Sequence, residues 1–92
     1  MAVVLDIGDG VGALVLYTPG VYRGREIEVS PVGDDARRTH TGVLERRVGG
    51  RTFCAAVYPA LAAGGWRIWG DDPALPALAV VVGGTVAEVD WR

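Results

Sequence analysis

The sequence predicts an all-β fold, a single-domain antiparallel β-sandwich of seven to eight strands, on three observations. Apolar residues recur with period two far more often than with the helical period of about 3.6. Fourteen glycines and five prolines interrupt those runs every several residues. The 92-residue length, half of it hydrophobic, suits one core and leaves no room for a second, since a chain of this size buries roughly two-thirds of its unfolded surface.

Strands are expected at 3–7, 13–18, 25–30, 40–48, 51–58, 65–69, 77–82 and 85–91. Segments 19–24 (PGVYRG) and 31–39 (PVGDDARRT) combine glycine, proline and adjacent like charges and read as solvated loops. Whether the strands close as a sandwich or a small barrel stays open. Two Gly-Gly pairs, Gly49-Gly50 and Gly83-Gly84, sit between β-rich runs and predict tight hairpins.

In the first hairpin Val48 then faces Arg51, Arg46 faces Phe53 and Leu44 faces Ala55. That register assigns Leu44, Val48, Phe53, Ala55 and Val57 to the core, with Glu45, Arg47, Thr52, Cys54 and Tyr58 opposite. In the second hairpin it groups Leu78, Val80, Val82, Ala87, Val89 and Trp91, against Ala79, Val81, Val86, Glu88 and Asp90. Strand 77–82 is apolar on both faces, which predicts a central strand or one covered by a partner.

Nine arginines, scattered along the chain, stand against eleven carboxylates for a net charge of −2. No basic face emerges to displace counterions from a phosphate backbone, so nucleic acid is not an expected partner. One cysteine, Cys54, has no internal partner, and the apolar run 74–82 is broken by Pro76 and too short to span a bilayer. With no export signal read near the start, the expected location is cytoplasmic, without membrane contact.

Three groups of residues invite a chemical reading. Gly8-Asp9-Gly10-Val11-Gly12-Ala13 satisfies G-x-G-x-x-A, but a dinucleotide site needs a helix after the glycines. Here a strand-like ALVLYTP follows, which predicts a glycine-rich hairpin loop instead. The aspartate pairs Asp34-Asp35 and Asp71-Asp72 lack the spacing of a calcium loop and suit turns. A chain with a single histidine, His40, excludes a multi-histidine metal site. Cys54, flanked by Phe53 and Ala55, reads as a small buried hydrophobe. No cofactor or metal is expected.

The segment AAVYPALAAGGWRI resembles the late strands of prealbumin-like modules, the transthyretin, Cna-B and carboxypeptidase-regulatory group. The match lies in Leu61, Gly64 or Gly65, Trp66 and Ile68, and implies a prealbumin-like sandwich. The chain also resembles short actinobacterial proteins through its HTGVLERRVGG, AAVYPALAAG and tryptophan block. One enzyme in the prealbumin-like group hydrolyses 5-hydroxyisourate, but its paired histidines and tyrosine-arginine-glycine-serine tail have no counterpart here, so that reaction is not carried over.

Strand parity sends Trp66 and Ile68 into the core beside Leu61, and Arg67 and Trp69 outward. The favoured reading is a non-enzymatic interaction or accessory module that self-associates or binds another protein, with Tyr58, Arg67, Trp69 and His40 as candidate binding residues. A second reading uses Trp69 and Tyr58 as a stacking platform for a carbohydrate or small ligand. A third is a hydrolase-type enzyme using His40 with Arg37, Arg38 or Glu45. Loop 19–24 or 71–76 covering Trp69 is the bland alternative to an interface there.

Overall fold

The computed structural model describes Leu5 and residues 7–92. Its strands are β1 (Val11–Thr18), β2 (Glu26–Pro31), β3 (Thr39–Val48), β4 (Arg51–Ala62), β5 (Gly64–Ile68), β6 (Leu78–Val81) and β7 (Val86–Asp90), with one 3-10 turn at Gly20–Tyr22. These correspond to seven of the eight expected strands. The other, 3–7, lies outside the described residues except for Leu5 and Ile7.

The strands form one seven-stranded sheet in the order β6-β5-β2-β3-β4-β1-β7, curled toward a barrel. It is mixed rather than wholly antiparallel, because β7 runs parallel to β1. The fold turns its corner at β3: residues 39–42 pair with β2, and residues 43–48 pair with β4. A second crossing follows β4, where Ala63 alone separates β4 from β5 and its N–H is held by Gly10 O at 2.9 Å.

The expected strand 51–58 stops short of Pro59, yet β4 runs through that residue to Ala62. The ladder explains why. Gly12 pairs with Leu61 but Leu14 with Tyr58, so Pro59 and Ala60 together oppose Ala13 in a bulge. A bulge is one of the few places where a strand tolerates a residue without an N–H.

The β3–β4 hairpin has the expected register, with Val48 opposite Arg51, Arg46 opposite Phe53 and Leu44 opposite Ala55. Its turn takes φ of 57° and 78° at Gly49 and Gly50, the two positive values a primed turn requires. The faces are nevertheless the reverse of those expected. Val43, Cys54, Ala56 and Tyr58 point into the core, while Leu44 and Val48 are exposed. Glu45, Arg47 and Thr52 share the inward parity but lie on the hairpin tip, which overhangs the core into solvent. Their polarity therefore says nothing about which face is buried. Ala55 and Val57 are buried too, so the middle of β4 is covered on both sides.

The second Gly-Gly turn closes no hairpin. Thr85 N–H bonds Val82 O at 3.1 Å, but β6 pairs with β5 and β7 with β1. The start of β1 takes the hydrogen bonds a hairpin would have used: Ala13 N–H donates to Thr85 O and Gly84 N–H to Val11 O, both at 2.9 Å. This separates the two expected groups of side chains. Ala79 and Val81 are buried and Leu78, Val80 and Val82 exposed, whereas Ala87, Val89 and Trp91 pack toward the core. Strand β6 is consequently terminal in the sheet, not central.

The same junction gives the G-x-G-x-x-A string its role, since no helix follows it. A Cβ added to Gly12 would stand 2.5 Å from Val82 O and 2.7 Å from a Val81 methyl. One on Gly83 would stand 2.7 Å from Gly10 N. The two glycine-rich stretches are pressed together where the ends of the sheet meet. Gly12→Ala is expected to lower stability by about 1–3 kcal/mol through overpacking, read as a shifted denaturation midpoint. An unchanged midpoint would contradict this packing.

The core draws Leu14 and Leu16 from β1, Ile27 and Val29 from β2, Val43 from β3, Cys54, Ala56, Tyr58 and Leu61 from β4, and Trp66 and Ile68 from β5. Ala79, Val81 and Trp91 complete it, with Tyr22 and Leu75 packed against one end. Loop 19–24 is thus partly structural, since the Tyr22 ring tilts against Trp91 at 5.6 Å.

Candidate functional site

Of the expected site residues, Arg67, Trp69 and His40 lie on the outer side of β2, β3 and the end of β5, but Tyr58 does not join them. Its ring is in the core, 3% exposed, and its hydroxyl donates to Ile27 O. The inverted face of the β3–β4 hairpin is the cause. Burial, and then the charge of Glu28, push the Tyr58 phenol well above its ordinary value of 10.0. The neutral ring is favoured in the folded chain, so this group contributes stability that is complete below about pH 10 and lost as pH rises beyond it. Tyr58→Phe is expected to flatten that alkaline loss in denaturation midpoints taken from pH 8 to 11, after a pH-independent cost of about 1 kcal/mol for the lost hydrogen bond. Parallel curves for the two proteins would contradict the assignment.

Trp69 points outward as parity requires, and two arginines cover it. The guanidinium carbons of Arg38 and Arg67 stand 3.6 and 3.7 Å from the ring centroid. Two guanidinium groups cannot share the space above one ring face, so they occupy opposite faces. The indole N–H donates to Ser30 Oγ at 3.0 Å, and the Trp69 backbone N–H to Glu28 O at 2.9 Å. Carboxylates then hold the arginines: Arg38 to Glu28 at 3.3 Å and Arg67 to Asp35 at 3.5 Å. The cover comes from the loop between β2 and β3 and from β5 itself, not from loop 19–24 or 71–76.

This cluster ties a loop to the sheet and offers little chemistry. Both ring faces of Trp69 are occupied, so a sugar would have to displace an arginine to stack there. His40 Nε2 meets Glu26 at 3.0 Å with both side chains 63% exposed, Glu45 is engaged by Arg23 at 3.2 Å, and Arg37 lies 4.0 Å from Asp34. Ser30 is fully buried and accepts from Trp69, and Cys54 faces the core. Among the described residues no group of three or more His, Cys, Asp or Glu converges to hold a metal ion, and no helix is long and apolar enough to cross a membrane.

A different surface stands out. On β6, Leu78 and Val80 are 68% and 70% exposed, and Val82, just past its end, is 56% exposed. Val80 pairs with Gly65 of β5, and Val32 lies over Gly65, which extends the apolar row across the sheet. The signal was present in the sequence as a strand apolar on both faces, but the same pattern fits a central strand equally well.

A second apolar area lies outside β1, β3 and β4, where Tyr17 and Phe53 rings meet at 5.7 Å beside the exposed Leu44 and Val48. It is more strongly guarded. Tyr17 donates to Glu88 and has Arg92 over its ring at 4.6 Å. Burial lowers the Arg46 guanidinium below its ordinary value, and its Nε has no hydrogen-bond partner among the described residues.

These features define a small all-β fold whose distinctive surface, among the described residues, is the exposed apolar row on and beside β6. No family model, curated protein or solved structure matches the chain.

Proposed function

We propose that this protein is a small non-enzymatic module that works by contact with another protein surface, its first partner being a second copy of itself. The observation that carries the proposal is the exposed apolar row of Leu78 and Val80 on the terminal strand of the sheet, continued by Val82 just past its end and by Val32 across β5. Single exposed apolar residues are ordinary on any surface, but a contiguous row along a sheet edge is the pattern of a contact surface. A prealbumin-like sandwich belongs to the same proposal: β3 turns between two halves of the sheet, and Leu61, Trp66 and Ile68 of the resembling segment are all buried. The sugar-stacking and hydrolase readings are not carried forward, because arginines cover the Trp69 ring and the His40–Glu26 pair stands on open surface.

Light scattering coupled to size exclusion tests the proposal. The wild-type mass is expected to rise from one chain toward two across the micromolar range, while Leu78→Ser combined with Val80→Thr stays at one chain. That double variant should keep its stability within about 0.5 kcal/mol per site, as exposed substitutions do. A wild-type protein that remains monomeric throughout would overturn the proposal.

A further inference from the structure

We propose that the outer face of the β3–β4 hairpin tip binds an extended acidic segment of another protein, two of whose carboxylates, placed two residues apart, meet Arg46 and Arg51. This surface is separate from the β6 row, takes a different partner and does not depend on self-association.

Charge is the first observation. The chain as a whole carries a net charge of −2, yet its arginines are unevenly neutralised. Arg23, Arg25, Arg37, Arg38, Arg67 and Arg92 each have a carboxylate oxygen at 4.0 Å or closer. The other three, Arg46, Arg47 and Arg51, all fall on the tip of one hairpin, and none forms an ion pair with a described residue. Positive charge that the rest of the chain balances is left unbalanced there.

Placement is the second observation. The ladder sets Arg46 opposite Phe53 and Val48 opposite Arg51, so these four side chains share the outer face while Arg47 points to the other side. Arg46 and Arg51 are diagonal neighbours across the two strands, about 7–8 Å apart. An extended chain repeats its side chains on one face about every 6.5–7 Å, which matches two carboxylates separated by one residue. Leu44 is the next outward residue beyond Arg46 and is 46% exposed. It would meet an apolar side chain two residues further along the segment.

The state of Arg46 favours an arriving anion. Its Nε is enclosed without a hydrogen-bond partner among the described residues, and burial works against its charge. A partly desolvated guanidinium gains more from a carboxylate than a fully solvated one does. Arg51 is exposed, so its share is smaller.

The apolar side chains decide between anionic partners. Leu44 and Val48 flank Arg46 on the same strand face and are exposed, and a phosphate backbone has nothing apolar to cover them. Three cations on a chain of net negative charge also give nucleic acid little counterion release. A segment that alternates carboxylate and apolar side chains suits both kinds of residue.

Anisotropy of a fluorescein-labelled peptide with the core Glu-Ser-Glu-Ser-Leu, titrated with the full chain at low salt, tests the proposal. Saturable binding is expected, with a Kd on the order of 100 μM. Arg51→Gln, an exposed substitution that leaves the packing alone, should weaken it about threefold, and Arg46→Gln combined with Arg51→Gln about tenfold. Arg47→Gln, on the opposite face, should change it by no more than about 1.5-fold, through long-range charge alone. Equal weakening by the Arg47 and Arg51 single variants would overturn the proposal, as would equal binding of a Gln-Ser-Gln-Ser-Leu peptide or tighter binding of a single-stranded oligonucleotide. So would the absence of saturation below about 1 mM. If the wild type still doubles in mass in that last case, the hairpin proposal falls and the self-association reading stands.

Discussion

Replacing Trp66 with alanine is expected to cost about 3–5 kcal/mol, the usual loss for truncating a buried aromatic. The indole is 7% exposed, packs in the core with Leu61 and Ile68, and donates its N–H to Ala62 O at 2.8 Å. It sits just after the single-residue crossing at Ala63, so its removal leaves a cavity and frees the corner that joins β4 to β5. At about 4–8 °C per kcal/mol for a domain of this size, the melting temperature should fall by more than ten degrees. Trp69→Ala, three residues on, should cost less. It removes two cation-π contacts of about 0.5–1 kcal/mol each and leaves the buried Ser30 hydroxyl without its donor, a loss of about 1 kcal/mol. Equal losses from the two variants would contradict the assignment of one ring to the core and the other to an arginine-covered surface.

The second large effect belongs to Trp91. This residue is 4% exposed and closes one end of the core, with its indole N–H on Pro76 O at 2.8 Å and the Tyr22 ring tilted against it. Gly70 lies so close that a Cβ there would stand 2.9 Å from the indole ring. Trp91→Ala should therefore also cost about 3–5 kcal/mol, and should speed hydrogen exchange at Leu75, whose amide bonds Asp72 O at 3.2 Å within the loop that Trp91 anchors. Trp91→Phe keeps much of the packing but orphans the Pro76 carbonyl, for a smaller loss of about 1–3 kcal/mol. A loss below about 1 kcal/mol for the alanine variant would show that this end of the core does not depend on the ring.

The residues that made the fold legible are those whose local chemistry allows one answer. Gly49 and Gly50 set a primed turn, and the β3–β4 register followed from them. Period-two parity placed Trp66 inside and Trp69 outside. What failed depended on distant partners. The buried face of β3 and β4 could not be read from Glu45, Arg47 and Thr52, because these residues overhang the core. The hairpin expected at Gly83-Gly84 was lost to β1, which lies more than seventy residues earlier in the chain and takes the bonds of Gly84 and Thr85. Arg38 as the cover of Trp69 was illegible for the same reason: it arrives from a loop whose path the sequence pattern does not fix. Residues 77–82 carried the signal of the candidate site, but two apolar faces describe a central strand as well as an unprotected edge, and only the sheet order separates them.

A residue-resolved dilution series of amide NMR spectra tests the central claim, that this chain makes its contacts through the exposed edge of β6, most directly. Resonances of Leu78, Val80, Val82 and neighbouring Gly65 are expected to shift together as concentration rises through the micromolar range, while those of Leu44, Val48 and Val86 stay fixed. Shifts confined to Leu44, Val48 and Val86, or none at any concentration, would contradict it.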